Sequence, residues 1–118
     1  MSVEELIDNL LNFLDTEKER FSEIPKEFFE KLSEIINEFE EKYKAGKLDP
    51  IEEDKLRTLK RLRRQLFEKR FGKLVRLAML QALGFDDVQL PHYILPAEVK
   101  FFQELVRLME DFKKEFLE

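Results

Sequence analysis

The chain has 118 residues, with 21 Lys and Arg against 26 Asp and Glu for a net charge of −5, a single His and no Cys. That length suits one domain, 1–118, with a modest core. The lack of Cys excludes a disulfide scaffold and every thiolate metal site and fits an intracellular protein, and no apolar run approaches the roughly 18 residues that a membrane span requires.

The elements follow in chain order. Ser2 and Glu5, three residues apart, form a capping box, and the chain opens on this helix signal with no signal-peptide pattern. Val3, Ile7, Leu10, Leu11 and Leu14 then recur at helical spacing, which predicts helix 1 fading near Glu19. Pro25 opens helix 2, where Phe28, Leu32, Ile35, Ile36, Phe39 and Tyr43 form one stripe and Gly46 is the natural stop.

Asp49, Pro50 and Glu52 combine an N-cap, a proline in the first turn and an acid at the third position, so helix 3 starts there and runs to Gly84, covering about 50–83. At 1.5 Å per residue such a helix spans about 50 Å, against a radius of gyration of about 13–14 Å for a compact chain of this length. Residues 74–83 are apolar almost all the way round, with Arg76 and Gln81 the exceptions. A helix apolar on every face must be covered on every face, and the short chain around it is poorly equipped to do that alone. The expectation is a subunit that completes its core against a partner.

Residues 85–95 contain Pro91 and the lone His92 and predict a loop. The pair Asp86 and Asp87 belongs to the same stretch. Pro96 opens helix 4, where Val99, Phe102, Leu105, Val106, Met109, Phe112 and Phe116 are apolar and Phe101 and Leu108 widen the stripe to about half the circumference. The fold class is therefore all-α: a four-helix, bundle-like domain with one long central helix and no sheet. The short 46–49 connection folds helix 2 back along the first half of helix 3, and the loop after Gly84 returns helix 4 along the second half.

Enzyme signatures are absent. One His allows neither a Ser/His/Asp set nor a paired-His zinc motif, no Glu-x-x-His exists for a di-iron bundle, and three scattered Gly make no phosphate loop. No catalytic residue, cofactor or metal is expected. Glu52, Glu53 and Asp54 lie at a helix start, where the dipole favours acids.

Three features bear on binding. Residues 55–76 hold ten Lys and Arg against one acid, Glu68, a local charge of +9 that leaves −14 on the rest of the chain. Within this run Arg57, Lys60, Arg61 and Arg64 cluster opposite Leu59, Leu62 and Leu66, a face that either contacts phosphates or pairs with acidic helices. No aromatics alternate with them to stack on bases. Arg63 and Arg70, on the apolar side, are expected to be partly buried and to form buried ion pairs with carboxylates of helices 1, 2 or 4. Finally, Gly72 shares an outward stripe with Val75, Met79 and Leu83, where a small residue admits a close backbone, and this stripe is the favoured partner contact, with Phe101 and Leu108 on helix 4 as the second.

The run Arg64-Gln65-Leu66-Phe67-Glu68-Lys69-Arg70-Phe71-Gly72-Lys73-Leu74-Val75-Arg76-Leu77-Ala78 resembles the long helix of archaeal GINS subunits of the type whose helical A domain comes first. Ile24-Pro25-Lys26-Glu27-Phe28-Phe29-Glu30-Lys31-Leu32 is similar to the start of that domain's second helix, and Leu95-Pro96-Ala97-Glu98 through Phe101-Phe102-Gln103-Glu104-Leu105 to its last helix. The resemblance implies a non-catalytic replication scaffold of the archaeal cytosol. It would form an oligomer with other GINS subunits, bridging the MCM helicase and a RecJ-like nuclease, with weak or indirect contact to DNA. Subunits of this type carry a small β-rich B domain after the A domain, and the chain reads as the A domain without it. Two rivals stand beside this reading: a helical nucleic-acid-binding module using the basic face of helix 3, and an unrelated self-associating bundle.

Overall fold

The computed structural model describes residues 1–85 and 87–118. Asp86, part of the expected loop, lies outside the described residues. Four helices are present: α1 (Val3–Glu17), α2 (Lys26–Lys44), α3 (Pro50–Ala82) and α4 (Pro96–Leu117), with no strand among the described residues. None is long and apolar enough to cross a membrane. The chain forms two compact units, Met1–Glu68 and Lys69–Glu118.

In the first unit the helix starts are made by side chains close in sequence. Ser2 Oγ accepts the Glu5 N–H at 3.1 Å at the head of α1. At the head of α3, Asp49 Oδ1 accepts the Glu52 N–H at 2.8 Å while Glu52 Oε1 faces the Asp49 N–H at 3.4 Å, a reciprocal box that satisfies two otherwise orphan donors. Pro25 sits just before α2 rather than inside it, extended at φ −61° and ψ 142°. Gly46 stops α2 with φ +69°, a left-handed conformation that a side chain would oppose.

These starts orient three apolar stripes towards one centre. Leu6, Leu10 and Leu14 of α1, Phe28, Leu32, Ile36 and Phe39 of α2, and Leu56, Leu59, Leu62 and Leu66 of α3 form a single cluster, joined by Ile24 from the connection between α1 and α2. Phe13 meets the edge of Phe28 at 5.0 Å between centroids. Each fully buried Leu or Ile contributes about 1.5–3 kcal/mol, so this cluster is the main source of stability in the unit. Where α1 ends, the buried Glu17 carboxylate accepts the Ser22 N–H at 2.8 Å and also the Ser22 hydroxyl, which closes the turn between α1 and α2.

The second unit consists of the rest of α3, the loop and α4. Gly84 ends α3 at φ +95°, and the Phe85 N–H reaches back to the Leu80 carbonyl at 3.1 Å, the bond that closes a left-handed helix terminus. Residues 87–95 lead into α4. Arg70 meets Glu98, Phe71 meets Phe101, and the Ala82 carbonyl meets Lys113, so α4 runs parallel to α3 rather than antiparallel. The loop must span roughly 18 Å to reach the level of Arg70 from Ala82, which its length covers easily. Leu74, Ala78 and Ala82 on α3 and Phe102 and Val106 on α4 are buried, each set spaced by four residues along its helix, and Ile94 joins them from the loop.

Candidate interaction surfaces

Helical starts and burial place the candidate residues in two groups, one in each unit. In the second unit, Met79 and Leu83 are 46% and 56% exposed, and on α4 Leu108, Phe112 and Phe116 are 61%, 66% and 77% exposed. These exposures leave more than half of most of these side chains in water, although α3 and α4 already pack through their buried residues. Val75 is half-buried. Around the last turns of α3 and α4, Met79, Ala82, Leu83, Met109, Phe112, Lys113, Phe116 and Leu117 enclose an open groove of about 310 Å³. Lys113 is its one charged wall residue, and its amine donates to the Ala82 carbonyl at 2.9 Å, capping α3 from the side.

The favoured stripe on α3 is thus open at Met79 and Leu83. Gly72 is exposed, and a Cβ built there would meet nothing within 4 Å, so no neighbour within the chain needs the glycine. Phe101 is partly used inside the unit, stacked on Phe71 with centroids 5.6 Å apart, whereas Leu108 faces water. Phe112 and Phe116, which belong by spacing to the apolar stripe of helix 4, lie on the open surface. The missed signal is the spacing of Phe101, Leu105, Leu108 and Phe112, which makes a second stripe beside that of Phe102, Val106 and Met109.

The arginines on the apolar side of α3 behave differently from one another. Arg70 is 4% exposed and holds Glu98 with both arms of its guanidinium, Nε donating to Oε2 at 2.8 Å and Nη2 to Oε1 at 2.6 Å. Glu98 Oε1 also accepts the Leu95 N–H at 3.3 Å, so the start of α4 fixes the carboxylate that Arg70 needs. Arg63 is half-buried, as expected, but its expected ion pair is corrected: it makes none among the described residues. The Glu40 carboxyl is held below the usual range by the hydrogen bond from Lys60, whose amine lies 2.7 Å away, and by the charge of that amine, with only a smaller contribution from Arg63. The carboxylate that Arg63 faces is already taken.

On the basic face of the first unit, Lys60 is bound to Glu40, Arg57 lies 3.8 Å from Asp54, and Arg64 Nε donates to Glu68 at 2.9 Å. Arg61 is exposed and has no ion pair among the described residues. Arg57 and Lys60 border an open hollow of about 550 Å³ that Glu40 and Glu53 share. Nearby, Lys55 lies 2.5 Å from Glu4 and holds that carboxyl below its ordinary range, chiefly by the hydrogen bond and then by its charge. Three of the four candidate phosphate contacts therefore have a carboxylate at hand. No protein-family model, no curated protein and no solved structure matches the chain.

Proposed function

We propose that this protein is a non-catalytic scaffold that assembles with GINS subunits. In that assembly it would link the MCM helicase to a RecJ-like nuclease during chromosomal replication in the archaeal cytosol. One observation carries the assembly reading: the second unit leaves Met79, Leu83, Phe112 and Phe116 in water around a shared groove, and Leu108 exposed on the same helix as Phe112 and Phe116. A contiguous apolar surface rimmed by polar residues is the usual mark of a protein contact site. The identity of the partners rests on the resemblance of helices 2, 3 and 4 to GINS A domains.

The test mixes the protein with other GINS subunits and measures molar mass by light scattering. A defined hetero-oligomer is expected. Replacing Val75 and Met79 by Glu should leave helix content unchanged and weaken that oligomer at least tenfold. A double variant that assembles normally would remove this surface from the contact, and a chain that associates only with itself would favour the unrelated self-associating bundle.

A further inference from the structure

The helix α4 carries two apolar stripes, of which the second unit buries one. Phe102 and Val106 are buried, and Met109 continues their stripe half-buried. Phe101, Leu105, Leu108 and Phe112 form the other, spaced by four, three and four residues, which is the repeat of a coiled-coil seam. Phe101 is engaged by Phe71 at the start of this seam, whereas Leu108 and Phe112 are mostly exposed and Phe116 lies one turn further on. With about 150–250 Å² for each aromatic, and less for Leu and Met, the seam and the adjoining groove present on the order of 600 Å² of apolar surface. That is the upper end of what a monomer commonly exposes, about 300–600 Å², and most of the roughly 800 Å² that each side of a stable complex contributes.

The border of the seam gives the occupant its chemistry. One edge adjoins the buried stripe. Along the other run Glu104, Asp111 and Glu115, all exposed and none with an ion pair among the described residues. At 3.6 residues per turn these three acids fall within an arc of about 40°, immediately outside Leu108. Lys100, Arg107 and Lys114 lie behind them, farther from the seam. The open edge is therefore acidic along its length.

We infer that the exposed seam of α4 docks an amphipathic helix of a partner protein whose apolar face is bordered by Lys and Arg. A second copy of this chain fits poorly. Laid antiparallel about a twofold axis, it sets one acidic row against the other; laid parallel, it presses that row onto the edge held by Met109 and Phe116 and strips the carboxylates of water without giving them a partner. A basic border supplies the opposite charge in register. This deepens the assembly reading and rests on it only in taking the partner to be a protein.

The test uses the 118-residue chain and two synthetic three-heptad helical peptides with the same Leu seam, one bordered by Lys and the other by Glu. Fluorescence anisotropy should show the Lys-bordered peptide binding at least tenfold more tightly, with affinity falling as salt rises. Replacing Leu108 and Phe112 together by Glu should cost at least tenfold, although it makes the chain more acidic and would strengthen a merely electrostatic attraction. Circular dichroism should show this variant folded, since both side chains face water. Replacing Glu104, Asp111 and Glu115 together by Lys should transfer the preference to the Glu-bordered peptide. Equal binding of the two peptides, undiminished binding by the Leu108 and Phe112 variant, or a wild-type dimer in sedimentation that this variant dissolves would overturn the proposal. Binding of the Lys-bordered peptide without association with GINS subunits would support this site and remove the assembly reading; the reverse would remove this site alone.

Discussion

At the scale of single residues, Arg63 and Arg70 separate what a pattern can say from what a partner must supply. Both fall on the apolar side of α3, and their long stems suit that position. Arg70 completes a bidentate pair because Pro96 and Leu95 set the start of α4 and bring Glu98 to it, whereas the carboxylate that Arg63 influences, Glu40, is held by Lys60. Removing one side of a buried pair leaves an uncompensated charge and costs about 3–5 kcal/mol, while an exposed side chain without a partner changes stability by about 0.5 kcal/mol or less. Arg70→Ala should therefore lower the melting temperature by roughly 10–20 °C, with Arg61→Ala within a few degrees of wild type. Arg70→Lys should fall between them, since it retains the charge and loses the fork. Thermal unfolding by circular dichroism checks the ordering, and equal small shifts for Arg70→Ala and Arg61→Ala would mean that Glu98 is adequately served without the guanidinium.

Among the elements, α3 carries a glycine at a position where nothing within the chain asks for one. A Cβ at Gly72 meets open space, and the residue lies in the helix interior, where Gly costs about 1 kcal/mol relative to Ala. Gly72→Ala should accordingly raise the midpoint of urea unfolding, by about 1 kcal/mol of stability in the chain alone. If a partner helix approaches here, Gly72→Leu should weaken assembly while leaving the chain folded; assembly unchanged by Gly72→Leu would take the glycine out of the contact line. The helix ends were legible because their signals are local. Ser2 with Glu5, Asp49 with Glu52, and the prolines at 25, 50 and 96 act within one turn, and Gly46 and Gly84 stand where the backbone takes a left-handed turn. What α4 buries was not legible. Its two stripes share the three-and-four spacing, so periodicity measures the width of its apolar arc without saying which part meets α3. The division after Glu68 is equally silent, because the helical pattern of α3 continues through it without a break.

For the molecule as a whole, charge distribution decides how the basic face should treat nucleic acid. Residues 55–76 carry +9, enough in isolation to attract phosphate, while the rest of the chain carries −14. The acids act in two ways. They repel a polyanion at long range, screened beyond about 8 Å at physiological salt, and they occupy the same cations at short range, as Glu40 does with Lys60 and Glu68 with Arg64. A DNA phosphate would have to displace those carboxylates, so fewer counterions are released per cation than on a free basic surface, and both affinity and salt slope fall. The expected result is duplex binding weaker than micromolar at about 150 mM salt, near the range of non-specific contacts. Replacing Arg57, Lys60, Arg61 and Arg64 together by Ala should change it little. An electrophoretic or anisotropy titration over a salt series checks both statements. Sub-micromolar binding that falls steeply with salt and is abolished by the four substitutions would reverse the assignment, making the basic face of α3 a phosphate-contacting surface and the protein a nucleic-acid-binding module.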